Sequence, residues 1–133
     1  MIRILISRQS RYPANTREVK KRILNVLDAE GIKEGVVSLS FVGKRKIVDL
    51  AKTYLGEENT VHEILTFPYT EGEAIKVEGP LQLGDIVICY PEARRIAQKR
   101  NRMVDDVLGE LAEHGTLHLL GHHHGEAPAR MTN

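Results

Sequence analysis

The segment His114-Gly115-Thr116-Leu117-His118-Leu119-Leu120-Gly121-His122-His123-His124 carries five of the chain's six histidines within eleven residues. Such clustering constrains the fold, because imidazoles that act together must be brought to one point by the backbone. A helix does this at a spacing of four, where side chains lie one turn apart on one face. His114 and His118 have that spacing. Gly121 follows the apolar run, and glycine accepts the left-handed backbone that ends a helix. The chain can then turn back and offer His124 as a third imidazole. His122 and His123, adjacent in sequence, cannot both point at the same ion without strain. Three neutral imidazoles leave a fourth tetrahedral position for water, the arrangement of a catalytic rather than a structural zinc site. The expectation is one Zn2+ per chain held by His114, His118 and His124, although three imidazoles also suit nickel or cobalt.

The spacing H-x3-H-x2-G-x2-H is that of the long zinc signature of metzincin proteases. Those proteases carry a glutamate general base directly after the first histidine. Here that position is Gly115, so a metallopeptidase reading keeps the metal and loses its base.

The same segment resembles the motif H-G-x-L-H-L-x-G-Y-D-H of the YbeY family, bacterial rRNA maturation factors regarded as metal-dependent single-strand endoribonucleases. Seven of the nine specified positions agree, namely His114, Gly115, Leu117, His118, Leu119, Gly121 and His124, while His122-His123 replace Tyr-Asp. Two further stretches are similar to the family. His62 to Pro68 matches its T-D-V-L-S-F-P motif with Leu65, Phe67 and Pro68 identical, and Leu83 to Ile88 matches L-G-D-I-x-I. Family members also carry an arginine in a Tyr-Arg-Gly segment, thought to meet the RNA. This chain has Tyr54-Leu55-Gly56 there. A guanidinium is the natural bidentate partner of a phosphate, so Arg45, Arg94, Arg100 or Arg102 would have to substitute.

The resemblance implies a zinc-dependent single-strand endoribonuclease acting in rRNA maturation and ribosome quality control. Its partners would be rRNA or other single-stranded RNA and the ribosome. His114, His118 and His124 would form the catalytic metal site. Glu63 is a candidate proton acceptor by residue type, as are His62 and His123. A second reading is a non-catalytic rRNA-binding or ribosome-binding assembly factor with structural zinc. The missing arginine and the missing glutamate favour it, and His122 could then fill the fourth metal position.

Composition sets the outer limits. A chain of 133 residues, 41% hydrophobic, fits one domain over 1–133 with a single core. Net charge is only +1, so any RNA site must be local rather than a property of the whole surface. The densest basic cluster, Arg94, Arg95, Lys99, Arg100 and Arg102, stands immediately before the metal-bearing helix, where it either neutralises a phosphodiester backbone or is solvated surface. Arg17, Lys20, Lys21 and Arg22 read as a solvated helix face, with a phosphate-binding patch as the alternative. The lone Cys89 excludes an internal disulfide and agrees with a reducing compartment. No apolar run approaches the ~20 residues of a membrane span, and the start is too short for a signal peptide. A cytoplasmic protein without a membrane partner is expected.

Apolar periodicity predicts the elements in order. Ile2 to Ser7 reads as a strand. A helix follows from a cap at Asn15 or Thr16 to about Glu30, with Glu18 in the capping-box position and Val19, Ile23, Val26 and Leu27 on one face. Val36 to Val42 has the alternation of a half-buried strand. A three-turn helix runs from Lys44 to Gly56 on Ile47, Leu50, Ala51 and Tyr54. Ile64 to Phe67 is a strand stopped by Pro68, Tyr69 to Pro80 a loop or loose hairpin, and Leu83 to Ile88 a buried strand. Asp85 in that strand is either a turn-capping aspartate or an acceptor that orients a metal-bound imidazole. Pro91 starts a helix to about Lys99. The last helix, Val104 to Leu120, forms the centre of the core on Val107, Leu108, Leu111, Leu117 and Leu119 or Leu120, and the tail from Glu126 is frayed. The sum is an α+β fold, a four-stranded mixed sheet packed with about four to five helices and bearing a zincin-like three-histidine site.

Overall fold

The structure is a computed structural model that describes residues 1–69 and 81–121. Its elements follow the predicted order: β1 (Ile2–Ser7), α1 (Thr16–Ala29), β2 (Gly35–Val42), α2 (Lys44–Leu55), β3 (Ile64–Pro68), β4 (Gln82–Cys89), α3 (Tyr90–Lys99) and α4 (Val104–Leu119). The expected hairpin around Glu71-Gly72 and the expected frayed tail lie outside the described residues, as do His122, His123 and His124.

Local chemistry accounts for the element ends. The side chain of Asn15 accepts from the backbone N–H of Glu18 at 3.1 Å and so caps α1, satisfying one of the first-turn donors that a helix leaves open. Gly56 adopts φ +68 after α2, and Gly121 adopts φ +90 two residues after α4. Both are left-handed positions that glycine takes without a Cβ penalty.

The four strands form one mixed sheet in the order β1-β2-β4-β3. β1, β2 and β4 are parallel neighbours, and β3 closes one edge antiparallel to β4. Pro68 sits on that edge strand, where its missing N–H is tolerated. The parallel pairs demand crossovers, which α1 and α2 supply. β2 keeps the expected alternation: Val37, Leu39 and Phe41 are buried in the larger core, while Ser38, Ser40 and Val42 are only partly buried.

The period-two alternation of β4 separates two cores. Ile86 and Ile88 join Ile64, Phe41 and Leu39 beneath α1, α3 and α4. Val87 and Cys89 join Leu65 and Ile47 beneath α2 on the other face. Burial pushes the Cys89 thiol above its ordinary pKa, so it packs there as a small apolar side chain. In the larger core Tyr90 stacks on Tyr12 at 4.9 Å and meets the edge of Phe41 at 6.3 Å. Its hydroxyl donates to the carbonyl of Pro13 at 2.5 Å, which holds the β1–α1 connection against the start of α3.

Two expectations change. Arg22, expected on the solvated basic face of α1, turns toward α4 and meets Glu113 at 2.9 Å, Glu18 at 3.6 Å and Asp106 at 3.9 Å. Arg17, Lys20 and Lys21 do line the outer face of α1. Asp85 lies with Val87 on the α2 face, opposite α4, and accepts the hydroxyl of Tyr69. It orients no imidazole of α4.

Gly84 joins the sheet to α4. Its φ is +149, and a Cβ there would stand 2.5 Å from the carbonyl oxygen of Phe67 and 2.7 Å from Leu119 Cδ2. Gly84→Ala is expected to cost about 3 kcal/mol of stability through backbone strain and overpacking combined, read as a lower urea midpoint. An unchanged midpoint would contradict this seat. The hydrogen bond to Asp85 is the first cause that pushes the Tyr69 phenol from 10.0 up to about 12. Because the proton is held more tightly in the folded chain, this contribution is complete below pH 10 and is lost as pH rises toward 12. Ultraviolet titration of the folded protein should show a late-ionising tyrosine that Asp85→Asn removes.

Candidate metal and nucleic-acid site

Helix α4 reaches the sheet through small residues. Ala112, Gly115 and Thr116 are buried, and the Thr116 hydroxyl donates back to the carbonyl of Ala112 at 2.7 Å. A Cβ on Gly115 would lie 2.9 Å from both Ile64 Cδ1 and Ile86 Cγ2 and 3.3 Å from Thr66 Cγ2. Position 115 thus faces β3 and β4 and has no room for a glutamate. The base that a peptidase would carry after its first histidine is missing for a packing reason.

With position 115 against the sheet, the next residues around the helix are set toward the edge strand. The rings of His114 and His118 face each other with centroids 4.4 Å apart, tilted by 46°. His118 is 5% exposed, and the Nε2 atoms of both rings are withdrawn from solvent. Two imidazoles fixed one turn apart on a packed helix are a donor pair that a divalent transition metal accepts. Gly121 ends the helix as expected, with its N–H on the carbonyl of His118 at 3.0 Å. The expected third donor, His124, is outside the described residues. Among the described residues no group of three metal-binding side chains is assembled.

A cavity of about 200 Å³ opens beside His114, between the end of α3, α4 and the start of β3. Its polar lining is Glu63, Arg100, Arg102, Glu110 and His114, against apolar walls from Ile96, Val107 and Leu111. Of the expected site residues the structure therefore brings Glu63, Arg100, Arg102 and His114 together. The backbone of Glu63 is held in place because its carbonyl accepts from the N–H of Cys89 at 2.9 Å.

The rest of the basic cluster points elsewhere. Arg94 lies over the Tyr90 ring at 5.0 Å, Arg95 pairs with Glu92 at 3.1 Å, and Lys99 is exposed at the end of α3. His62 directs Nε2 to the Glu57 carboxylate at 2.5 Å and does not line the cavity. Leu55, at the position of the family's arginine, packs with the apolar cluster of Ile47, Leu65 and Val87.

Sequence reasoning passed over Glu110. It stands one turn before His114, so extending the His114–His118 stripe back by four would have found it. Its carboxylate takes a two-pronged hydrogen bond from the Arg102 guanidinium, one prong at 2.9 Å. That bond holds the Glu110 carboxyl below the ordinary range and pushes the Arg102 guanidinium up. Both groups remain charged across the neutral range. The cavity thus combines one imidazole, two guanidiniums and two carboxylates, a set suited to anchoring a phosphate ester and moving a proton.

Comparison with known proteins places the chain in a family. The family model described as Endoribonuclease YbeY matches residues 5–132. A protein named Endoribonuclease YbeY from Syntrophus aciditrophicus is 35% identical over 118 residues, covering 89% of this chain and 72% of its own. Another of that name from Oceanobacillus iheyensis is 36% identical over 112 residues, covering 77% and 72%. A solution structure of a Thermotoga maritima protein shares the fold with a TM-score of 0.59 at 24% identity, covering 98% of this chain and 79% of that one. With nearly its full length matched by the family model and these relatives above 30% identity, the chain belongs to the YbeY endoribonuclease family.

Proposed function

We propose that this protein is a zinc-dependent single-strand endoribonuclease acting in rRNA maturation and ribosome quality control, with rRNA or other single-stranded RNA as substrate. The observation that carries the reading is the placement of His114 and Glu63 on one cavity with Arg100 and Arg102, in a chain of the YbeY family.

His114, His118 and His124 would hold the zinc. When bound there, zinc supplies a Lewis acid for a phosphoryl oxygen and makes water a competent nucleophile near neutral pH. The remaining work falls to the chain itself. Arg100 and Arg102 neutralise and orient the phosphodiester at the cavity rim. Glu63, at the head of β3, is the proton acceptor in this reading. Ile96, Val107 and Leu111 form the apolar wall of the cavity against which these groups stand. No helix among the described residues is long and apolar enough to cross a membrane.

A non-catalytic zinc-stabilised assembly factor is the second reading, favoured by the apolar packing of Leu55 where the family carries an arginine. Turnover separates the two. His118→Ala, checked for folding by circular dichroism, is expected to lose zinc in elemental analysis and to lose cleavage of a single-stranded RNA. Cleavage surviving in the metal-free variant would overturn the metal-dependent reading. Glu63→Gln should lower kcat about 100-fold with RNA affinity retained. Unchanged kcat would remove Glu63 from the role of proton acceptor.

A further inference from the structure

The connection between α3 and α4 is built to aim one side chain. Asn101 takes a left-handed φ of +52, an uncommon conformation for a residue with a Cβ. Arg102 then fixes its own backbone by donating its N–H to the carbonyl of Ala97 at 2.8 Å. The result directs the Arg102 guanidinium into the cavity shared with His114, Glu63 and Arg100. There it forms its two-pronged bond with Glu110.

A carboxylate and a phosphodiester offer a guanidinium the same pair of oxygens. The Arg102 and Glu110 side chains are 31% and 50% exposed, and a pair this open to water is weak. It can exchange one anion for another, with the released carboxylate turning to solvent. Arg100, on the same wall, has no carboxylate within ion-pair distance among the described residues.

We propose that Arg102 is the phosphate-binding arginine of this cavity and that Glu110 occupies its guanidinium in the free protein, to be displaced by an RNA phosphodiester. The proposal rests on the endoribonuclease reading and names the residue that replaces the arginine absent at Leu55. Glu110 acts through Arg102 in this scheme, as the competing anion whose displacement sets a threshold that an uncharged ligand does not cross.

The test is fluorescence anisotropy of a labelled short single-stranded RNA, checked for integrity on a gel, against the full chain over a range of salt. Arg102→Ala should weaken binding about tenfold, as loss of a charged hydrogen-bonded contact does, and lower the slope of log affinity against log salt by about 0.7. Arg102→Lys should fall between, since an ammonium keeps the charge without the fork. Glu110→Gln should tighten binding roughly threefold, because one exposed ion pair no longer has to be broken. Lys99→Ala, which removes an exposed cation outside the cavity, should change affinity less than about twofold.

Opposite signs for the Arg102 and Glu110 variants are the mark of exchange. If both weaken binding, the pair is a brace for the α3–α4 connection and the proposal fails. It also fails if Arg102→Ala binds like the unaltered protein, or if Lys99→Ala costs as much as Arg102→Ala. An unaltered protein that binds no RNA would overturn the endoribonuclease reading together with this proposal. Binding that ignores Arg102 overturns the proposal alone.

Discussion

The close approach of α4 to β3 and β4 at Gly115 is the contact on which the rest of the molecule depends. A helix that meets a sheet without an intervening Cβ comes near enough for Ile64, Ile86 and Thr66 to enclose it. The residues on either side then have little rotational choice. Val107, Leu108 and Leu119 are each at most 5% exposed, and burial of such side chains contributes about 2 kcal/mol apiece before conformational entropy is subtracted. That apolar anchoring holds the backbone beneath His114 and His118 still. The two imidazoles inherit their mutual placement from packing.

Much of this was legible in the residues. The spacing of His114 and His118, the glycine at 121 and the alternation of β4 each follow from one backbone period, and each element formed where its period placed it. Long-range pairings were harder to read. Nothing near Arg22 in sequence identifies Glu113 or Asp106 as its partners, because they lie across the α1–α4 interface. The side of the sheet on which Asp85 falls was set by register with Ser38 and Phe67, and register is a tertiary property. Glu110 was missed for a different reason. Sequence attention stopped at the histidines, although the stripe that joins them continues one turn further back. Of five candidate basic residues only Arg100 and Arg102 reach the cavity, a selection made by the turn at Asn101 rather than by composition.

The two flanks of α4 carry different chemistry. Toward α1, one guanidinium from Arg22 is shared among three carboxylates, an arrangement that ties helix to helix. Toward α3, carboxylates and guanidiniums are matched in number and stand around open space. Only the second flank offers a strongly anionic ligand both room and charge. A helix that is central to the core can therefore still present a reactive side, because its buried face and its polar cavity occupy different sectors of the same cylinder.

The strand beneath that helix has a consequence for self-association. Ile64-Leu65-Thr66-Phe67 is uncharged, rich in β-favouring side chains and placed at a sheet edge, the combination from which intermolecular sheets nucleate. Glu63 before it and Pro68 after it are the residue types that interrupt such runs. Folded, the strand is covered by α4 on one face and by the α2 cluster on the other. Any lesion that lifts α4 from its seat at Gly115 therefore uncovers the apolar face of a strand whose edge is already unpaired among the described residues. Loss of solubility and loss of the site would then be two results of a single local unfolding event.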